Sequence, residues 1–275
     1  MEVYNAYEMT RVAAAFTQAL GVEPPRKAQP AADPLKNLLA DAFGGKPAQK
    51  VVIYNPDAIA MWLYQKYTPD FTEVTRNTQL CLPLKTMMPS VTPVCFATMY
   101  TGTPPQIHGI QKYEKPVVRT DTVYNALIRA GKKCAIVAQT GCSMSKIFLE
   151  RDMDYFSDYE TDEQVVRKGI ELIRSDKYDF ISIYNGYYDH TMHATKVEDP
   201  EALQVFRDEC RFFGEIVDVI REAYAAYDTF IGFATDHGCH DHPDTGRGTH
   251  GTDLTDDLNV LHFYGTIRGN AHAAD

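Results

Sequence analysis

The chain has 275 residues, of which 44% are hydrophobic and 23% charged, and its formal net charge is −10. This composition is that of an ordinary globular protein and excludes the disordered, collagen-like and disulfide-scaffold classes. The negative charge and the absence of any Lys/Arg run longer than two argue against a nucleic-acid polymer as partner and against a polybasic membrane anchor.

The cysteines and the N-terminus bear on the cellular compartment. Six cysteines with no C-x-x-C pair are too few for a disulfide framework, so we expect reduced thiols and a cytoplasmic location. No apolar run reaches the roughly 18 residues of a membrane-spanning helix, and the N-terminus lacks the regions of a signal peptide. We therefore expect no membrane partner, and a homo-oligomer is left open.

The first part of the chain has a different character from the rest. Residues 2–20 have helical composition and end at Gly21, a residue typical of helix C-termini. The proline-rich stretch 21–34 is typical of a connector. We therefore predict an N-terminal helical extension over residues 1–48 and a main domain over residues 49–275.

From residue 50 onward, short apolar runs alternate with helical stretches. The runs are VVIY (51–54), CAIVA (134–138), FISIY (180–184), FIGFA (230–234) and NVLHFY (259–264). Strands that are buried on both faces have continuous apolar sequences of this kind. The predicted fold class is therefore α/β, with a mainly parallel central sheet sandwiched by helices.

Two helices have recognisable first turns. Thr161 and Gln164 have the spacing of a capping box, which predicts a helix that begins there and ends near Ser175. Pro200 is placed as a first-turn proline, which predicts a long helix to about Tyr227. These helices would cover the predicted sheet.

Acidic and histidine side chains follow the predicted strands. They are Asp57 after the first run, Asp189 and His193 after the third, Asp236 and His237 after the fourth, and His250 before the last. Ligands of open α/β sheets collect at the carboxyl ends of the strands, so we expect these side chains to converge. Carboxylate oxygens and imidazole nitrogens bind zinc or manganese. A single Asp at such a place is more often a helix cap, but the whole set predicts a metal site.

Thr92 is the candidate nucleophile. Pro93 follows it directly, which predicts that Thr92 is the N-cap of a helix with proline at the first position. The N-terminus of a helix suits a phosphate or sulfate group, and a hydroxyl beside a dication becomes a usable nucleophile. The alternative is a threonine that only caps its helix.

Over residues 50–265 the chain resembles the alkaline phosphatase superfamily, and within it the nucleotide pyrophosphatase/phosphodiesterase branch. The matching residues are Asp57, Thr92, Thr101-Gly102 with His108-Gly109-Ile110, Asp189-x-x-x-His193, Asp236-His237-Gly238 and His250-Gly251. Their order, spacing and residue types all agree with that branch. The resemblance implies an alkaline phosphatase-like catalytic domain.

The resemblance also implies residue roles and an activity. One metal would be held by Asp189, His193 and His250, and the other by Asp57, Asp236, His237 and the Thr92 oxygen. The implied cofactors are two divalent ions, Zn²⁺ in the first place and Mn²⁺ as the alternative. The implied function is a phosphodiesterase-like or nucleotide pyrophosphatase-like hydrolase that acts on a small phosphorylated molecule through a phosphothreonine.

The chain departs from that branch at a few positions. Cys95 stands where the branch usually has an asparagine that helps to hold a phosphoryl oxygen, and Ala58 stands where it usually has glycine. We also expect no large inserted cap domain. Cys95 and Lys112 remain the candidate substrate contacts. The tyrosines Tyr184, Tyr187 and Tyr188 are expected to pack, and His190, His240 and His242 are expected to be exposed loop histidines.

Other activities stay open at this point. A phosphonoacetate hydrolase-like enzyme that cleaves a C–P bond, or a phosphomonoesterase, would use a similar set of residues. A non-catalytic, metal-stabilised binding module is the alternative outside the enzyme class. Because Thr92 and all six ligand candidates are present, we favour the hydrolase.

Overall fold

A computed structural model describes residues 3–270 of the chain. Its main element is an eight-stranded sheet with the spatial order β1-β3-β10-β7-β2-β6-β4-β5, beside a small hairpin of β8 and β9. The strands are β1 (Tyr7–Glu8), β2 (Lys50–Pro56), β3 (Leu80–Lys85), β4 (Cys134–Gln139), β5 (Asp154–Tyr159), β6 (Phe180–Asn185), β7 (Thr229–Ala234), β8 (His240–Asp241), β9 (Gly248–Thr249) and β10 (Asn259–Ile267).

The sheet is mainly parallel, and the predicted α/β class is confirmed. Strands β7, β2, β6, β4 and β5 are parallel neighbours, whereas β10 is antiparallel to both β7 and β3. Strand β3 therefore runs in the same direction as the central strands. All five predicted apolar runs form strands. Strands β3 and β5 were not predicted, because β3 contains Pro83 and β5 is a half-exposed edge strand with polar residues.

Helices lie on both faces of the sheet. They are α1 (Ala13–Gln18), α2 (Asp33–Ala42), α3 (Met61–Lys66), α4 (Thr72–Thr75), α5 (Thr92–Thr101), α6 (Pro105–His108), α7 (Val123–Arg129), α8 (Ser143–Ile147), α9 (Asp162–Arg174), α10 (Tyr187–Ala194), α11 (Pro200–Ala223) and α12 (Thr255–Leu258), with 3₁₀ turns at Met9–Arg11 and Thr68–Phe71. None of the helices between residues 3 and 270 is both long and apolar enough to cross a membrane.

Two hydrophobic cores lie on opposite faces of the sheet. In β2, Val51 and Ile53 belong to the core on the face of α1 and α5, whereas Val52 and Tyr54 belong to the core on the face of α9 and α11. All seven residues of β2 are buried. This burial on both faces explains why the central strands have continuous apolar sequences.

The N-terminal segment differs from the prediction. Instead of one helix over residues 2–20, it forms β1, a 3₁₀ turn and the short helix α1. Strand pairing overrides helical propensity, since Tyr7 pairs with Leu84 of β3. Helix α1 is buried in the same core as β2. Residue 2 lies outside the described residues.

Other boundaries agree more closely with the sequence. The capping box of Thr161 and Gln164 is present and α9 ends at Arg174, while α11 ends at Ala223 and not at Tyr227. Pro34, assigned to a connector, lies in the first turn of α2. The division into residues 1–48 and 49–275 stays a prediction, and residues 1–2 and 271–275 lie outside the described part.

Candidate active site

The carboxyl ends of three adjacent strands carry five of the candidate ligands. Asp57 directly follows β2, Asp236 and His237 follow β7, and Asp189 and His193 lie on α10 just after β6. Since β7, β2 and β6 are neighbouring parallel strands, these side chains meet at one edge of the sheet.

Thr92 lies at the same edge of the sheet, at the start of α5, which follows β3. It is the first residue of α5, but the N-cap is Val91 and no side chain caps this helix, so the predicted capping role of Thr92 is wrong. The Thr92 hydroxyl lies instead 3.4 Å from Asp57 Oδ2 and 3.4 Å from His237 Nε2. The fold therefore leaves this hydroxyl free of capping and directs it at the candidate ligands.

Three residues in the first turn of α5 have no free N–H group to offer an anion. Pro93 has no N–H, and the N–H groups of Val94 and Cys95 both donate to the Val91 carbonyl at 3.0 Å. We therefore expect a bound phosphoryl group to be held by side chains rather than by these amides.

Three buried carboxylate oxygens at this edge accept no hydrogen bond from any residue between 3 and 270. They are Asp57 Oδ1, Asp189 Oδ1 and Asp236 Oδ2. The Nε2 atom of His237 lies 3.3 Å from Asp57 Oδ1 and 3.3 Å from Asp236 Oδ2. The Nε2 atoms of His250 and His193 lie 3.3 Å and 3.4 Å from Asp189 Oδ1. Buried carboxylates without partners are costly, and a cation placed among them would remove that cost.

The three candidate histidines are held in an orientation that suits metal binding. Each donates its Nδ1 hydrogen to a backbone carbonyl, because a carbonyl oxygen can only accept. The acceptors are Gly248 for His193 at 2.9 Å, Gly238 for His237 at 3.0 Å and Ser90 for His250 at 2.8 Å. The Nε2 atom of each ring then faces the carboxylates, and in the neutral ring it carries the lone pair that binds a metal, as in metal-ligating histidines.

The candidate ligands form two groups. We name the first the Asp189 group, which consists of Asp189, His193 and His250, and the second the Asp57 group, which consists of Asp57, Asp236 and His237. The three ligand atoms of the Asp189 group lie within 4.8 Å of one another. So do ligand atoms of Asp57, Asp189 and His237, which places Asp189 between the groups. The division of ligands between two ions stays a prediction.

The pKa values of two neighbouring carboxyls are shifted in opposite directions. Burial, with the nearby charge of Asp189, raises the pKa of Asp57 to about 7. Burial also acts to raise the pKa of Asp189, but His193 and His250 outweigh it and hold that pKa well below its usual range. In return, Asp189 overcomes the effect of burial and raises the pKa of His250 to about 9. The two histidines thus stabilise the negative charge of Asp189, whereas the negative charge of Asp57 is disfavoured by burial and by Asp189.

Tyr184 has a role that the sequence analysis missed. It was expected only to pack, but its hydroxyl donates to Asp57 Oδ2 at 2.5 Å. The next residue, Asn185, accepts the Asp57 N–H at 2.9 Å through its carbonyl. The position of Tyr184 near the carboxyl end of the strand beside β2 was the available signal. Tyr188 is buried as expected, whereas Tyr187 is 42% exposed.

Ala58 occupies a position that favours glycine. Its φ of 63° lies in the left-handed region, which costs about 1 kcal/mol for a residue with a Cβ. In this conformation the Ala58 N–H donates to Asp236 Oδ1 at 3.2 Å. The departure from the glycine of the resembled branch thus falls on a turn that joins Asp57 to Asp236.

Neither of the two candidate substrate contacts is bonded to a candidate ligand. Cys95 is buried, with its sulfur 3.8 Å from the Met87 carbonyl oxygen. Lys112 is exposed and pairs with Glu114 at 3.5 Å. Within residues 3–270, neither forms a hydrogen bond or ion pair with a candidate ligand.

The other histidines divide between surface and interior. His190 is exposed and His242 is intermediate in exposure. His240 was expected to be an exposed loop residue, but it is mostly buried and bonds Asp257 through Nδ1 at 2.7 Å.

Several solved structures share the fold. Human ectonucleotide pyrophosphatase/phosphodiesterase 5 is 14% identical with a TM-score of 0.63, over 79% of this chain and 88% of that one. The murine protein is 18% identical with a TM-score of 0.56, over 70% of this chain and 58% of that one. Phosphonoacetate hydrolase from Sinorhizobium meliloti, in complex with phosphonoformate, is 16% identical with a TM-score of 0.54, over 72% of this chain and 59% of that one. The match thus spans less than two thirds of the murine and bacterial proteins.

At these identities the structural likeness shows the fold alone, and no curated protein sequence matches the chain. The family model described as type I phosphodiesterase/nucleotide pyrophosphatase matches residues 54–270, which is more than half of the chain and includes every candidate ligand. The chain therefore belongs to the type I phosphodiesterase/nucleotide pyrophosphatase family.

Proposed function

We propose that Thr92 is the nucleophile of this phosphoric ester hydrolase and that two divalent cations assist it. The observation that carries the proposal is the position of Thr92 Oγ1, 3.4 Å from Asp57 Oδ2 and 3.4 Å from His237 Nε2. A hydroxyl so placed, beside buried carboxylates that each keep one oxygen without a hydrogen-bond donor, suits attack on an electrophile bound at a cationic centre.

The Asp57 group and the Asp189 group would each hold one cation. Zn²⁺ suits this set of three imidazoles and three carboxylates, and Mn²⁺ is the alternative. When bound, the cations would neutralise the charge of the phosphoryl oxygens and polarise the group for attack.

The chain's own residues would direct the reaction. Thr92 Oγ1 loses its proton to solvent and forms the bond to phosphorus, while the ester oxygen leaves on the opposite side with the bonding electrons and takes a proton from solvent. A water molecule then attacks the phosphorus of the phosphothreonine, which breaks the bond to Thr92 Oγ1 and frees the phosphate product. Asp57 Oδ2 accepts hydrogen bonds from both Thr92 and Tyr184, which fixes the carboxylate that faces the nucleophile. Positioning of the nucleophile before the substrate arrives accounts for part of the expected rate.

We propose a small phosphorylated molecule as the substrate. A phosphodiester or a nucleotide pyrophosphate is the first candidate, because the family is described as phosphodiesterases and nucleotide pyrophosphatases. A C–P bond is the second candidate, since phosphonoacetate hydrolase shares the fold with a TM-score of 0.54, close to the 0.56 of the murine phosphodiesterase. We also propose a cytoplasmic location, which six cysteines without a disulfide support.

The test is turnover by protein loaded with Zn²⁺ or Mn²⁺ on matched substrates. These are a phosphodiester, a phosphomonoester, a nucleotide pyrophosphate and phosphonoacetate. We expect the diester or the pyrophosphate to be hydrolysed fastest. Faster release of phosphate from phosphonoacetate would favour C–P cleavage. Protein that binds two ions and hydrolyses none of the four would favour the binding module.

A further inference from the structure

We propose that Asp257 is a positioning residue that holds the loops of the metal centre together, an inference that rests on the proposed function. Asp257 lies on α12 and is fully buried. Among the bonds within residues 3–270, none joins its carboxylate to a candidate ligand. It bonds the two loops that carry His237 and His250.

Both carboxylate oxygens of Asp257 are used. Oδ1 lies 2.7 Å from His240 Nδ1, three residues after His237. Oδ2 accepts from the Thr252 N–H at 2.9 Å and from the Thr252 hydroxyl at 2.7 Å, two residues after His250. One buried side chain thus joins the loop after His237 to the loop after His250.

The backbone of α12 also holds the loop that follows His237. The Gly238 N–H donates to the Asp257 carbonyl at 2.8 Å. A Cβ on Gly238 would lie 2.0 Å from the carbonyl oxygen of Asp256, so this close approach requires glycine. Gly238 also provides the carbonyl that accepts from His237 Nδ1. The orientation of His237 therefore depends on the contact with α12.

The loop that carries His250 and Thr252 is bonded to Ser90, which precedes Thr92. The Thr252 carbonyl accepts from the Ser90 hydroxyl at 2.9 Å, and the Ser90 carbonyl accepts from His250 Nδ1 at 2.8 Å. Ser90 is two residues before Thr92. The chain of bonds from Asp257 through Thr252 and Ser90 thus sets the ring of His250 and the approach to the nucleophile.

The expected effect is on metal binding. Loss of the groups that orient a ligand typically weakens metal affinity about 10–100-fold. Asp257→Asn keeps the shape but removes the negative charge and replaces one of the two acceptor oxygens by a donor. We expect about tenfold weaker Zn²⁺ binding by the Asp189 group, because His250 lies on a loop, and a smaller change in the Asp57 group, because His237 directly follows β7.

The experiment titrates the metal-free protein with Zn²⁺ against a chromophoric chelator. The matched control is Asp253→Asn, which removes an exposed carboxylate from the same loop and should bind as wild type does. Thr252→Val with Thr252→Ser is a second pair, in which only the valine should weaken binding; it decides the question if Asp257→Asn does not fold.

Unchanged affinity in both Asp257→Asn and Thr252→Val would overturn the inference. So would a lower melting temperature of the metal-free protein with wild-type Zn²⁺ affinity, because Asp257 would then be merely structural. Wild-type protein that binds no Zn²⁺ would instead refute the proposed function, so the two failures are distinguishable.

Discussion

The two ligand groups are built from different parts of the fold. In the Asp57 group, the side chains of His237 and Asp57 are 0% and 1% exposed, and all three members directly follow central strands. In the Asp189 group, the side chains of His193 and Asp189 are 41% and 19% exposed, and His250 belongs to a loop. One group is part of the core, whereas the other is assembled by a helix and a loop above it.

This difference predicts different behaviour. The core provides the Asp57 group with rigid positions and little water, so an ion there should exchange slowly. In the Asp189 group the side chain of His193 is 41% exposed, although that of His250 is only 8% exposed. Its ion should therefore exchange faster and have room for water or substrate on the His193 side, as catalytic sites do. The predictions below test this contrast and the role of Thr92, which lies beside the buried group.

Thr92→Ala should have the largest effect. We expect a loss of turnover on the order of 10³-fold or more, because the nucleophile is removed. The fold should be retained, since the Thr92 side chain caps no helix. Thr92→Ser keeps the oxygen and should retain part of the activity in the same steady-state assay. Near wild-type turnover by Thr92→Ala would mean that water attacks the substrate directly.

His250→Ala and His237→Ala should separate the two groups. Without His250, the Asp189 group has only two protein ligands, so we expect about one metal per chain and little hydrolysis. Loss of His237 removes a fully buried ring from between Asp57 and Asp236, so this variant should also unfold at a lower temperature. Metal analysis and thermal melts check both. Equal stability of the two variants would contradict the contrast between the groups.

Tyr184→Phe should have a moderate effect. The substitution removes the hydrogen bond to Asp57 Oδ2, so we expect turnover to fall about tenfold with both metals retained. The matched control is Tyr188→Phe, because the Tyr188 hydroxyl donates to the Val197 carbonyl and not to a candidate ligand. Equal turnover in the two variants would show that Tyr184 only packs.

The smallest effect concerns two buried carboxyls away from the metal centre. Burial raises the pKa of Glu209 well above its usual range and that of Asp162 to about 7. Between about pH 4 and about pH 7 these groups keep protons in the folded state that the unfolded state releases, so stability should fall as pH rises.

Glu209→Gln should weaken this pH dependence, because one of the two titrating groups is gone. The measurement is urea unfolding of the metal-loaded protein at about pH 5 and about pH 8. Glu215→Gln, an exposed site on the same helix, is the control and should behave as wild type. An unchanged pH slope in Glu209→Gln would contradict the pKa shift.

Much of the fold could be predicted because it depends on local sequence. Strands β2, β6 and β7 are continuous apolar runs, and the capping box of Thr161 marks the start of α9. Once the strands are parallel and adjacent, residues that follow them must meet at one edge. The convergence of Asp57, Asp189 and Asp236 therefore needed no knowledge of distant contacts.

The rest depends on contacts between residues that are far apart in sequence. Tyr7 pairs with Leu84, so a segment of helical composition forms a strand, and no local sequence pattern predicts this pairing. The bond from Tyr184 to Asp57 joins residues 127 positions apart. The bond from His240 to Asp257 likewise appears only when the loops are packed together.

The most direct test of the account is the number of metals per chain. The metal-free protein is reconstituted with excess Zn²⁺ or Mn²⁺, freed of unbound ions and subjected to elemental analysis. The two ligand groups predict about two ions per chain in wild type, with the ion of the Asp189 group removed first by a chelator. One ion or none per chain after reconstitution would contradict the two-metal centre.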